Sequence, residues 1–300
     1  MSAPELADVL PVLATPFTAD LDLDLDSLAK LTRWQVDVGA RGVAVFGFAS
    51  EGFALNGAER ACILDVVREV LPPELALIAG VSATGTAEAV ALAAEARRGG
   101  ATHLMVLPPH MVTPSRAQLV GFYRDVAAVG VPVMIQDAPG NSRVTMPPDL
   151  IVELAGIEGV TSVKVESPPT APKIAALTPL VPAGFDVLGG QNALFLLEEL
   201  DGGSVGTMPA CEFTDLLAEA VAAFRAGQPE LARTRFNRLL PLIRFGLQPG
   251  LAWAVHKEVL VRRGLIRCAA VRPPAQPVSD RTRGWLDTVL GDLGLPCGDD

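Results

Sequence analysis

Eight short apolar runs punctuate the first 210 residues, and no other feature restricts the fold of this chain so strongly. They occupy residues 9–14, 42–46, 75–79, 103–107, 131–136, 160–165, 186–189 and 204–208. Between them lie longer segments, among them 25–38, 58–70, 86–98 and 116–128. Apolar residues recur there at three- and four-residue spacing, the period of a helix with one buried face. The short runs are apolar throughout, which predicts strands buried on both faces of a parallel sheet covered by helices. Eight such units predict an α/β protein built as a (β/α)8 TIM barrel. A doubly wound sheet is the alternative, but eight regular repeats favour closure. After Met208 the alternation stops. Residues 212–226, 229–245, 249–263 and 279–293 read as helices, with Gly227 and Gly264 between them. The expected organisation is a barrel over residues 1–210 and a helical extension over 211–300, packed on the barrel without a Gly-, Ser- or Pro-rich linker.

Composition narrows the function classes. Half of the residues are hydrophobic and 19% are charged, enough for a sizeable core and unlike a disordered chain. The net charge of −10 argues against nucleic acid or an anionic membrane as partner. No apolar run approaches the roughly 18 residues of a membrane-spanning helix. Cys62, Cys211, Cys268 and Cys297 form no CxxC pair, and their scatter suits neither zinc nor a disulfide framework. No three-ligand metal spacing is present. Reduced thiols and an N-terminus without a basic, then apolar, leader predict a cytoplasmic protein.

In a TIM barrel the chemistry sits at the C-terminal ends of the strands. Lys164 stands out there. It is one of four lysines, and the only one inside an apolar strand-like run, Gly159-Val160-Thr161-Ser162-Val163-Lys164-Val165-Glu166. Burial disfavours a charged amine, which suits a neutral nucleophile that attacks a ketone and forms a Schiff base. An ion pair with Glu166 is the alternative reason for its presence. Side chains alternate along a strand, so Lys164 and Glu166 point to one face. The other strand ends carry Thr15, then Ala49-Ser50-Glu51, His110-Met111, Gln136-Asp137 and Gly190-Gln191-Asn192.

Four of these stretches, in order, resemble the dihydrodipicolinate synthase / N-acetylneuraminate lyase superfamily over residues 9 to about 265. Pro11-Val12-Leu13-Ala14-Thr15-Pro16-Phe17 is similar to its first-strand signature. Residues 47–55 resemble its carboxylate-binding Gly-Thr-Thr-Gly-Glu loop, residues 132–140 fill the strand-five motif, and Lys164 falls where the Schiff-base lysine falls. The departures are Gln136 in place of a catalytic tyrosine, His110 and Met111 in place of a second tyrosine, and Phe48 and Ala49 in place of two threonines. Residues 134–139, 163–166, 48–51 and 240–245 resemble the branch that contains L-2-keto-3-deoxyarabonate dehydratase.

The resemblance implies a lysine Schiff-base lyase on a small 2-oxo acid, with no metal or organic cofactor, assembled as a homo-oligomer, tetramer or dimer. Dehydration of a 2-keto-3-deoxy sugar acid, giving 2-oxoglutarate semialdehyde in that branch, is the leading expectation. A pyruvate-dependent aldolase or synthase is the second. A barrel that binds a 2-oxo acid without turnover is a third, of another class. Catalysis is expected from Lys164 with Glu166, which either moves protons or positions the lysine, and from Gln136, whose amide orients but cannot titrate. Ser50 and Ala49 with neighbouring N–H groups are the expected carboxylate site. Glu51 is expected to bind a substrate hydroxyl or anchor the loop, and His110 to contact substrate or a neighbouring subunit. Gly190 is the further substrate-site candidate. His103 and His256 carry no expected role, and Asp22, Asp24 and Asp26 read as helix-capping residues.

Overall fold

All eight apolar runs form strands in the computed structural model, which describes residues 3–297. The strands are β1 (Asp8–Val9), β2 (Gly42–Val45), β3 (Ala76–Val81), β4 (His103–Val106), β5 (Val133–Asp137), β6 (Val160–Val165), β7 (Asp186–Gly189) and β8 (Gly206–Thr207). They pair in parallel in the order β1-β8-β7-β6-β5-β4-β3-β2. Val12 bridges both Ala44 and Ala210, which joins the two ends of the sheet and closes the barrel. Pro11 has no N–H to give a ladder, and regular strand pairing of the first run stops at Val9, two residues before it.

Helices α1 (Leu25–Asp37), α2 (Gly57–Val70), α3 (Thr86–Arg98) and α4 (Arg116–Ala127) cover the outside. A single turn, α5 (Pro139–Ser142), follows β5, and α6 (Pro148–Ala155), α7 (Thr170–Leu177), α8 (Leu196–Asp201) and α9 (Thr214–Arg225) complete the ring. Beyond them lie α10 (Pro229–Gly246), α11 (Ala252–Arg262) and α12 (Asp280–Leu293). Several starts are written in the sequence. Asn56 and Glu59 form a reciprocal capping box on α2, as Ser115 and Gln118 do on α4. Asp24 accepts from the Ser27 N–H at 3.0 Å at the head of α1, and Arg267 spans Asp24 and Asp26 at 2.9 and 2.7 Å.

Three apolar clusters result. Leu10, Val12, Ala44, Ala76, Ile78, Met105, Met134 and Leu188 fill the barrel interior. A second, larger cluster lies between the strands and the helix ring. A third joins Val9 and α8 to the appended helices. The interior therefore has an apolar floor, above which Gln136, Lys164 and Glu166 continue the inward-facing positions. One extra residue, Thr161, is inserted where β5 and β6 pair, so Met134 meets Ser162 and Gln136 meets Lys164. Bulges re-aim side chains in this way. Among the described residues no helix is long and apolar enough to cross a membrane.

Behind the strands lies a buried polar layer. Glu199 of α8 accepts a 2.5 Å bond from the Thr170 hydroxyl, and burial pushes its carboxyl up to about 7. A group with a raised folded-state value binds its proton more tightly in the native state than unfolded. The native state is favoured while Glu199 stays protonated and loses stability as pH rises from the ordinary carboxyl value towards 7. Glu199→Gln is therefore expected to be neutral near pH 5 and stabilising at pH 8, by up to about 3 kcal/mol. Urea melts at the two pH values check this; equal midpoint shifts would remove the titration from the account.

Candidate active site

Lys164 sits near the end of β6, 4% exposed, at the base of a cavity of about 590 Å³ over the C-terminal end of the barrel. Its Nζ lies 3.2 Å from Glu166 Oε1. Gln136 Nε2 donates to Glu166 Oε2 at 2.8 Å, so both carboxylate oxygens are engaged, one by the amine and one by the amide. Gln191 Nε2 donates to the Glu166 carbonyl at 2.8 Å and steadies the backbone of the same residue. The expected trio is thus brought together, with a carboxylate between an amine and a neutral donor.

Gly190 has a steric part in this. A Cβ there would stand 2.3 Å from Glu166 Cγ. Gly190→Ala is therefore expected to push Glu166 off Lys164 and Gln136 and to lower turnover about 100-fold. Unchanged steady-state kinetics in this variant would show that Glu166 needs no exact seat.

The loop after β2 brings Phe48 and Ala49 to the cavity. Ser50 is buried, and its hydroxyl has no hydrogen-bond partner among the described residues. Its carbonyl accepts from the Thr15 hydroxyl at 2.6 Å, tying the loop to the first strand. A buried orphan hydroxyl fits an anionic oxygen, since leaving such a group unpaired costs about 1–3 kcal/mol.

Of the five expected substrate residues Ala49 lines the cavity; Ser50 and Gly190 are not part of its lining, and Glu51 and His110 lie elsewhere. The Glu51 carboxylate is fully buried, 2.5 Å from Lys257 Nζ of α11, and accepts from the Arg272 N–H at 2.9 Å. These contacts tie the loop to α11 and to Arg272, and Glu51 does not line the cavity. Lys257 also lies 4.0 Å over the Phe17 ring, and burial brings its amine down to about 8 although Glu51 opposes the shift. His110 is exposed and does not line the cavity of its own chain. Asp137 points behind the barrel to Lys173 at 2.6 Å, and burial pushes its carboxyl up to about 6. The sole tyrosine is nearer a strand end than its helical position suggests, because its hydroxyl donates to the carbonyl of Val106 at the close of β4. It is buried behind that strand and does not line the cavity.

The sequence reading missed what α11 contributes. Trp253 and His256 line the cavity opposite the strand ends, together with the 246–250 turn. Trp253 Nε1 donates to the Phe48 carbonyl at 2.5 Å. His256 Nδ1 lies 2.7 Å from Glu212 Oε1, and both side chains are buried. The available signal was three titratable residues, His256-Lys257-Glu258, between Ala252-Trp253-Ala254-Val255 and Val259-Leu260-Val261. Charges embedded in so apolar a helix need buried partners. Among the described residues no three His, Cys, Asp or Glu side chains converge as a metal site.

Known proteins resemble this chain over nearly its whole length. The profile of the Dihydrodipicolinate synthetase family matches residues 5–292. The L-2-keto-3-deoxyarabonate dehydratase of Azospirillum brasilense is 30% identical over 97% of this chain and 96% of its own. The 4-hydroxy-tetrahydrodipicolinate synthase of Chlorobium luteolum is also 30% identical, over 98% of this chain and all of its own. The crystal structure of dihydrodipicolinate synthase from Rhodopseudomonas palustris superposes with a TM-score of 0.91 at 31% identity, covering 97% of this chain and 98% of that one. With a closed eight-stranded barrel, a lysine at the end of its sixth strand and a family match of this extent, the chain belongs to the Dihydrodipicolinate synthetase family of lyases.

Proposed function

We propose that the protein is a hydro-lyase that dehydrates a 2-keto-3-deoxy sugar acid through a Schiff base on Lys164. The observation that carries this reading is the Glu166 carboxylate, held 3.2 Å from the Lys164 amine by the Gln136 amide. Lys164 attacks the C2 ketone and loses water to give a protonated imine, an electron sink. Glu166 removes a C3 proton, and the C–H electron pair moves into the imine to give an enamine. The enamine expels the C4 hydroxyl, which departs as water once protonated and leaves a C3–C4 double bond. Hydrolysis then frees Lys164. Ser50 and the Ala49 segment receive the substrate carboxylate, with the buried Ser50 hydroxyl as donor. The imine itself supplies the electron sink, so the reading requires no metal or organic cofactor.

The Azospirillum brasilense relative bears the name of a dehydratase, and relatives of equal identity bear the name of a synthase. A pyruvate-dependent aldolase or synthase on the same lysine is therefore the second reading. The reading extends to a homo-oligomer in the cytoplasm. Met111 and Val112, 78% and 70% exposed beside His110, suit burial against another copy, and all four cysteines are unpaired. The test is borohydride trapping with pyruvate and with 2-keto-3-deoxy sugar acids, followed by product analysis. Dehydration keeps every carbon in one product, whereas aldol cleavage releases pyruvate. Pyruvate release from those sugar acids, without an unsaturated or semialdehyde product, would replace the first reading by the second.

A further inference from the structure

We propose that His256, oriented by Glu212, is the acid that protonates the departing hydroxyl. The inference rests on the dehydratase reading and assigns the step that reading leaves without a donor. Lys164, Glu166 and His256 are the titratable side chains that line the cavity. Glu166 is engaged by Lys164 and Gln136 on the barrel side. His256 enters from α11, on the appended side, and the neutral Gln191 and Asn192, in the turn after β7, also line the cavity.

The imidazole is placed as an acid needs to be. Its Nδ1 is 2.7 Å from Glu212 Oε1, and the Glu212 side chain is fully buried. A carboxylate on Nδ1 fixes the ring's orientation. Nε2 has no partner among the described residues and is the nitrogen left to face a ligand. The roof comes close to the ring edge, since a Cβ on Gly246 would stand 2.8 Å from His256 Cε1. A buried carboxylate–histidine pair is a poor device for stability, because two well-packed apolar residues would serve as well or better. Its position on a cavity that already holds an amine and a carboxylate gives it a chemical use.

The step balances. Glu166 receives the proton from C3, and the electron pair of that bond passes through the enamine to break C4–O. His256 Nε2–H gives its proton to the oxygen, which leaves as water; solvent then takes the proton from Glu166 and returns one to the neutral ring. Base and acid stand on different elements around the cavity, one after β6 and one on α11. Glu212 is a positioning residue in this scheme.

A leaving-group comparison tests it. Wild type, His256→Asn and His256→Gln are given a 2-keto-3-deoxypentonate and its analogue with fluoride at C4, since fluoride departs without protonation. Asn can still donate to Glu212 near the place of Nδ1, and Gln reaches towards the place of Nε2. Borohydride trapping of pyruvate on Lys164 reports that each variant retains its site. We expect full trapping, a loss of about 10²- to 10⁴-fold in kcat on the hydroxyl substrate, and a loss smaller than about tenfold on the fluoride analogue. Glu212→Gln is expected to lower kcat with KM unchanged, and Glu212→Asp to recover part of the loss. Equal losses on both substrates, or a His256→Asn variant that dehydrates at the wild-type rate, overturn the assignment while the dehydratase reading stands. A wild type that traps the sugar acid yet never dehydrates it overturns both.

Discussion

Lys164→Ala is expected to leave no borohydride-stable adduct with any 2-oxo acid and to lower turnover by at least about 10⁴-fold, because the reaction loses its covalent electron sink and the orientation that comes with it. Lys164→Arg separates the amine's two roles. A guanidinium keeps the positive charge beside Glu166, which lies 3.2 Å from the native amine, but it does not deprotonate and cannot form an imine. Both variants should therefore be equally inactive, while Arg retains more stability than Ala. Intact-mass measurement after reduction, paired with single-turnover kinetics, checks the first part, and thermal melts check the second. An active Lys164→Arg enzyme would be incompatible with Schiff-base chemistry at this position.

Glu166→Gln carries the next largest effect. The Gln carbonyl can still accept from Gln136, whose Nε2 donates to Glu166 Oε2 at 2.8 Å, so the variant removes charge and proton capacity while keeping shape. The imine should still form with pyruvate, and dehydration should fall about 10²- to 10⁴-fold. Adduct formation and product release thus part company in this variant, whereas they fall together in Lys164→Ala. Retention of wild-type turnover across pH would leave Glu166 as a partner that positions Lys164 and nothing more.

The barrel was legible because its signal is local and repeated. Each strand is a short stretch apolar on both faces, each long helix has a period, and a limited number of ways exist to bury eight such pairs. Lys164, Glu166 and Gln136 were legible for a related reason. They lie on adjacent strands, and strand alternation alone sends 164 and 166 to one face. What could not be read was contact between distant segments. Glu51 stands in a loop that resembles a ligand site, and its partner Lys257 lies 206 positions later, fully buried with it. His256 has the same difficulty, since Glu212 is 44 residues away. Tyr123 sits mid-helix, and only the packing of α4 on the barrel sends its hydroxyl to the end of β4.

One turn of α11 has a consequence for anyone who would recombine this protein with its relatives. Trp253, His256 and Lys257 hold, in order, the Phe48 carbonyl, the Glu212 carboxylate and the Glu51 carboxylate. The loop after β2 and this helical turn are therefore a single heritable module split across the chain. A chimera with its crossover after the eighth strand would join a loop from one parent to a helix from another. Swapping residues 47–52, 212 and 252–257 together is the smallest exchange that carries the whole contact set.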